Sequence, residues 1–216
     1  MPLPQSITEL FAELFKSQTI KPSYKKPHIL YTIMLLGDYN EKDKGIGRYK
    51  LKQETGLGGG SIKTLVGRLK EQGLIEVYKK KQKGHFLTQK GEKIYKDLVQ
   101  YLPLPRELDN PENKYVLGEH AFYTKLKKSH ISDEKSIGIQ QRDASIKIGG
   151  SGATCVQKNK KNFVFPDNPS KESSVINIQG IEGENLNKGD YVVIGGAEVP
   201  ETAIISTIAA SLTLLS

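Results

Sequence analysis

Three consecutive glycines, Gly58, Gly59 and Gly60, stand directly in front of an amphipathic stretch, and no other feature constrains this chain as much. Glycine reaches backbone conformations closed to other residues, so a run of it marks a tight turn or a close approach of the backbone to something else. In the stretch that follows, Ile62, Leu65, Val66 and Leu69 recur at i, i+3, i+4 and i+7, which predicts a helix from about residue 59 to 72 with one apolar face. A glycine turn that opens a helix serves either a phosphate cradle or a helix-turn-helix. The spacing decides. A nucleotide P-loop needs its lysine immediately after the last cradle glycine, yet Ser61 and Ile62 separate Gly60 from Lys63. The dinucleotide pattern built on Gly58 and Gly60 needs a third glycine where Lys63 stands. A short polar helix, around Leu51 to Thr55, precedes the run in place of a buried strand. The turn of a helix-turn-helix is the expectation.

The flanking residues agree with it. Gly73 stands where a helix ends in a left-handed residue. "LIEVYKK" and "HFLT" read as a hairpin whose tip carries Lys79, Lys80, Lys81 and Lys83. "TQKGEKIYKDLVQYL" reads as a closing helix capped by Thr88, with Ile94, Tyr95, Leu98 and Leu102 inward. Upstream, Pro27 opens a helix over "PHILYTIMLLGDY" and "IGRYK" is short and extended. Before that, Ser6 and Glu9 form a capping-box pattern in front of Ile7, Leu10, Phe11 and Leu14. Helix, strand, helix, turn, helix, hairpin, helix is the order of a winged helix-turn-helix. Over residues 27–100, "LKQETGLGGGSIKTLVGRLKEQGLIE" followed by "LTQKGEKIY" resembles winged-helix transcription regulators of the broad MarR-like type. That resemblance implies a reading helix at "GGSIKTLVGRLKE" and a wing at the lysine hairpin.

Charge points the same way. The chain carries a net +8, but its first 102 residues hold 19 of the 32 basic residues against 10 of the 24 acids. The basic excess thus belongs wholly to the first half, as expected where one part meets a polyanion. The candidate DNA contacts are Arg48, Lys50 and Lys52, then Gly60, Ser61, Lys63, Thr64 and Arg68 on the reading helix, then Lys79, Lys80, Lys81 and Lys83 on the wing. Of the four arginines in the chain only Arg48 and Arg68 fall here, and arginine is the best reader of guanine. Affinity should therefore come mainly from lysine on phosphate, with sequence preference from a few contacts and from DNA shape. A solvated, lysine-protected turn is the alternative for the wing. Gly67, inside the helix, costs about 1 kcal/mol against alanine. Close packing by another helix is the expected compensation, and close approach to DNA the alternative.

Pro103, Pro105 and Pro111 in "YLPLPRELDNPENKY" favour extended chain and predict a linker. The expected division is a winged-helix domain over 1–102, a proline-rich linker over 103–114 and a second domain over 115–216. That second domain alternates strand-like text ("YVLGEHAFYTKL", "ATCVQKN", "NFVFP", "SSVINIQG", "DYVVIGG") with helical text ("SDEKSIGIQQRDASIKIGG", "VPETAIISTIAASLTLL"). An α+β domain of about five strands and two helices follows, so the whole chain is α+β. The last helix is apolar nearly all round, which buries it in its own domain or against a partner. "GIQQRDASIKIGGSGATCV" and "GDYVVIGGAEVPETA" resemble, more loosely, an uncharacterised domain that follows a winged helix in some archaeal proteins regarded as regulators. Two places here can hold a ligand. One is Gly195-Gly196, where a strand meets a helix, with a plain strand-to-helix turn as the alternative; the other is Arg142, with a salt link to Asp143 as the alternative.

Catalysis and cofactors find no support. The four histidines show no metal-ligand spacing, no nucleophile elbow or paired carboxylates appear, and the single Cys155 excludes an internal disulfide. The longest nearly uncharged apolar run falls short of the roughly 20 residues that span a membrane, and the first residues lack a secretory pattern; the cytoplasm is the expected place. The combined expectation is a DNA-binding transcription regulator, not an enzyme, acting as a homodimer on double-stranded DNA. The first and last helices are its candidate interfaces, and the second domain would sense a small-molecule effector or dimerise. Two rivals are an enzyme in the second half with an accessory winged helix, and a winged helix used only to bind protein.

Overall fold

The computed structural model describes residues 3–16, 22–42, 44–77, 84–108, 115, 117–132, 137–160, 162–166, 176, 178, 180–181 and 185–215. Contacts divide the chain into two compact units, Pro4–Gln100 and Met1–Leu3 with Tyr101–Ser216. The fold is α+β, with a mainly helical N-terminal unit and a C-terminal unit built on a five-stranded sheet.

In the first unit the helices are α1 (Gln5–Phe15), α2 (Lys26–Glu41), α3 (Arg48–Thr55), α4 (Gly59–Glu71) and α5 (Gln89–Tyr101). A hairpin of β1 (Ile75–Val77) and β2 (His85–Leu87) separates α4 from α5. Helix α2 is buried from Ile29 to Gly37, too broadly for a surface helix, and forms the centre. Its Gly37 faces the Tyr95 ring so closely that a Cβ there would overlap the aromatic carbons. Helix α1 covers the core with Ile7, Leu10, Phe11 and Leu14. Its expected capping box does not form: the helix starts after Pro4, and the Ser6 hydroxyl donates to Asp97 Oδ2 at 3.1 Å.

The turn before α4 is made differently from the sequence expectation. Gly56 takes the left-handed conformation that ends α3 (φ 67°), and none of Gly58, Gly59 and Gly60 has a positive φ. The triplet instead begins α4, with Gly58 as its N-cap. At the other end Gly73 is left-handed and the Leu74 N–H reaches the Leu69 carbonyl at 2.9 Å, so the chain turns sharply into β1. Ile46 exchanges two backbone hydrogen bonds with His85 at 2.9 and 3.0 Å, but of the piece expected to be extended, Arg48 to Lys50 already belong to α3. Thr88 caps α5 as expected, accepting from the Gly91 N–H at 3.2 Å and donating to the Gly73 carbonyl at 2.7 Å.

The second unit holds one antiparallel sheet in the order β3 (Arg106–Glu107), β4 (His120–Leu126), β7 (Tyr191–Ala197), β5 (Gly152–Asn159), β6 (Asn162–Val164). The text read as linker thus supplies an edge strand, because Arg106 and Glu107 pair with Tyr123 and Phe122 and Leu108 is buried. Of "SSVINIQG", the described part is an isolated bridge from Ile176 to Phe163. Register places Ala121, Tyr123, Val156, Val192 and Ile194 on one sheet face, where Phe163, Ile176, Ile178 and Ile181 join their core. Helices α6 (Ile139–Lys147) and α7 (Pro200–Leu215) pack against the sheet. Helix α7 is buried inside this unit along most of its length, which settles why it is apolar all round. Its Thr207 hydroxyl donates to the Phe122 carbonyl at 3.0 Å, and Ser206 meets Ser145 of α6 at 2.5 Å. Both helices expected as dimer interfaces, α1 and α7, therefore spend their apolar faces within their own units. Among the described residues, no helix is long and apolar enough to cross a membrane.

Candidate nucleic-acid interface

Helix α4 turns Ile62, Leu65, Val66 and Leu69 into the core. What remains outside is Gly59, Gly60, Lys63, Thr64, Lys70 and Glu71, all exposed, with Ser61, Gly67 and Arg68 half-buried. A Cβ built on Gly58, Gly59, Gly60 or Gly67 would meet nothing within 4 Å. Close packing by another helix, the compensation expected for Gly67, is therefore absent, and its backbone faces open space. The start of α4 is bare as well. Its N-cap makes no side-chain hydrogen bond and no acid lies in the first turn, so the free N–H groups there suit an anion.

Not every expected contact is available. Arg68 turns inward: its Nη1 donates to the Leu14 carbonyl of α1 at 2.6 Å and to the Tyr24 hydroxyl at 2.8 Å, with the guanidinium 5.9 Å from the Tyr24 ring. With both Nη1 hydrogens committed to α1 and Tyr24, it is not presented as an outward-facing contact, contrary to the expectation. Removing it will cost about 1–3 kcal/mol, since the Leu14 carbonyl and the Tyr24 hydroxyl both lose a charged donor. We expect Arg68→Ala to lower the urea midpoint while the DNA affinity of the folded fraction changes little.

Ser61 meets Ser23 at 2.5 Å, and Thr64 donates to the Gly60 carbonyl at 3.0 Å, so these hydroxyls are partly committed. Lys50 pairs with Glu54 at 2.5 Å, one turn along α3, and this carboxylate holds its pKa up. Arg48, Lys52 and Lys63 are exposed. Lys79, Lys80, Lys81 and Lys83 lie outside the described residues.

One residue escaped the sequence reading. Tyr49 is 74% exposed near the start of α3, beside Arg48. Sequence placed it in the short extended piece "IGRYK", whereas α3 already begins at Arg48. Once the helix includes Tyr49, the spacing of the buried pair Leu51 and Thr55 puts its ring on another side.

His85 lies at the base of the wing. Burial lowers its pKa to about 4, helped by the fields of Lys70 and Arg48, and its Nδ1 is buried without a hydrogen-bond partner. His28 is also lowered to about 4 by burial, and its Nδ1 accepts the Lys25 N–H at 3.1 Å, which needs a neutral ring. Both rings thus stay neutral in the folded state at pH values where the unfolded chain protonates them, below about 6.5. Their contribution is complete above pH 6.5 and is lost as pH falls toward 4, by about 1–2 kcal/mol per ring after solvent screening. Urea midpoints at pH 7.5 and 4.5 will show this drop, and His85→Gln will reduce it.

In the second unit, Arg142 lines two cavities and Gly196 lines one of them. Gly195 does not join them. A Cβ there would stand 2.5 Å from the Thr207 nitrogen and 2.6 Å from its hydroxyl, so α7 fills that face. The Gly195-Gly196 pair is thus a packing feature inside β7 rather than an anion cradle. Arg142 and Asp143 do form the alternative salt link, at 3.1 Å, with both side chains about half exposed. Among the described residues no group of histidine, cysteine, aspartate and glutamate can hold a metal.

Two family models match parts of the chain. Residues 28–93 match the family model described as PH0730-like, N-terminal domain, and residues 117–214 match a domain of unknown function, DUF4443. No curated protein matches. Among solved structures, the chain is similar to the hypothetical protein PH0730 from Pyrococcus horikoshii OT3, at 27% identity and a TM-score of 0.68, over 89% of this chain and 93% of that one. These matches carry the resemblance to an uncharacterised two-domain arrangement and do not extend to MarR-like regulators in particular. In sequence and in fold, the chain is similar to that protein over most of the length of both.

Proposed function

We propose that the chain is a DNA-binding transcription regulator whose winged helix meets double-stranded DNA and whose second unit senses a small ligand. The observation that carries this reading is the outer face of α4. Glycine at Gly59, Gly60 and Gly67 weakens a helix, and no neighbour occupies the space that side chains would fill. Stability alone would favour alanine there. A partner surface close to the backbone accounts for the glycines, and the bare helix start and exposed Lys63, Lys52 and Arg48 accord with a phosphate backbone.

The experiment follows from the sign of two effects. Gly67→Ala will raise stability by about 0.5–1 kcal/mol, because its methyl meets open space. The same change will weaken duplex binding, and Gly67→Glu will weaken it by about tenfold or more through bulk and like charge. Fluorescence anisotropy with a labelled duplex measures the second effect and thermal unfolding the first. If both variants bind as well as the parent chain, the α4 face is not the DNA surface.

The reading is of binding, not catalysis. Of the polar groups around the second-unit cavities, Cys155 is the one potential nucleophilic thiol, and burial pushes its pKa up to about 12. A thiol kept protonated is a poor nucleophile at neutral pH. Action as a homodimer remains part of the proposal; with α1 and α7 buried, it would use other surfaces.

A further inference from the structure

We infer that the second unit binds small organic carboxylates with an apolar body, held by the Arg142 guanidinium at the junction of two cavities. This rests on the reading of that unit as a ligand sensor and names the ligand's chemistry. One cavity has a volume of about 340 Å³ and the other about 280 Å³. They share Arg142, Ala153 and Thr154, so they form two lobes of one groove along β5. The groove exists because β6 pairs only with Gln157–Asn159, which leaves Gly152–Val156 without a described strand on its outer side.

The lining selects the ligand. The first lobe adds Ile137, Ile139 and Phe165, and the second adds Leu117 and Ile194, so both are mainly apolar. Ile139 is 59% exposed and Leu117 58%, one at each lobe. Large apolar side chains left in water on both sides of a cation favour an occupant with apolar parts. Among the described residues, Arg142 is the only charged one in either lining. Thr154 gives its hydroxyl hydrogen to the Tyr115 carbonyl at 2.5 Å, so it has no donor to offer a ligand. Among the described residues, the side-chain donors at the junction are therefore those of the guanidinium, which call for an acceptor, and a planar carboxylate matches their fork. Arg142 already binds a carboxylate loosely: Nε and Nη2 approach one oxygen of Asp143 at 3.3 and 3.1 Å. That contact between chain neighbours is half exposed and weak, so a ligand carboxylate with apolar burial behind it displaces it. Each lobe by itself stands at the lower end for small-molecule sites, which favours compact acids.

Isothermal titration of the full chain without DNA tests this, using indole-3-acetate and octanoate as probes and their neutral amides as controls. We expect saturable binding of at least one acid with a Kd below about 1 mM. The amide of that acid should bind at least about tenfold more weakly, and so should the acid to Arg142→Gln, whose exposed position leaves folding intact. Ala153→Leu, which fills the junction, should abolish binding as well. Preference for the indole acid marks an aromatic ligand and preference for octanoate a flexible chain. Failure of both acids to saturate, equal binding of acid and amide, or unchanged affinity in Arg142→Gln overturns the inference. Anisotropy with duplex DNA is run separately, so a chain that binds DNA but neither acid defeats this inference alone. One that binds acid but not DNA defeats the regulator reading alone.

Discussion

Raising monovalent salt from about 50 to 200 mM will weaken binding to duplex DNA by about 10²- to 10³-fold, with a log–log slope of about −4 to −5. The slope follows from which cations face outward. Lys63 on α4 and Arg48 and Lys52 on α3 are exposed, whereas Arg68 is bound to Leu14 and Tyr24 and Lys50 is paired with Glu54. A few lysine and arginine contacts to phosphate, with further ones from the basic wing, release a matching number of counterions. The outer face of α4 offers little that reads base edges, since glycines alternate there with Lys63 and Thr64. Random and mixed-sequence duplexes should therefore bind within about tenfold of one another at low salt, unless DNA shape adds preference. Anisotropy titrations at four salt concentrations measure the slope. A flat response would show that the basic excess of the first half serves something other than a polyanion. Tyr49→Ala in the same assay tests whether the exposed ring beside Arg48 adds a backbone contact.

Gly195→Val will unfold or severely loosen the second unit, at a cost of about 3 kcal/mol or more. The position lies in β7, the middle strand of the sheet, and a side chain there would strike the Thr207 backbone nitrogen and the hydroxyls of Thr207 and Ser206. Backbone atoms of a packed helix do not swing aside as a flexible side chain would. To make room, α7 must lift off, and the Thr207 bond to the Phe122 carbonyl and the Ser206–Ser145 contact go with it. Amide hydrogen exchange across β7 and α7 will speed up strongly in this variant. Gly59→Ala is the control, because a methyl there meets nothing within 4 Å and leaves stability level or higher. Equal exchange in the two variants would show that α7 does not approach the sheet this closely.

Local pattern carried far in this chain. Helical spacing of Ile62, Leu65, Val66 and Leu69 placed α4, Gly73 marked its end and Thr88 the start of α5. Strands β5 and β6 and the last helix were also legible, because apolar period and turn residues are properties of neighbours in the chain. Reading failed where the partner was distant. Pro103 and Pro105 announced extended chain correctly, but whether an extended piece is a linker or an edge strand depends on Tyr123 and Phe122 standing beside Arg106 and Glu107. Arg68 looked like a base reader until α1 presented the Leu14 carbonyl and the loop presented Tyr24.

The glycines divide most clearly. By sequence alone, Gly60, Gly67, Gly195 and Gly196 were equally suited to close approach, since each lacks a Cβ. Only the tertiary structure shows that α7 fills the face of Gly195 while open space lies over Gly60 and Gly67. Secondary structure follows from backbone sterics and short-range hydrophobic period, which the order of residues contains. The use made of a charge, or of a missing side chain, follows from what folding brings within a few ångströms, and that is decided by residues far away in the chain.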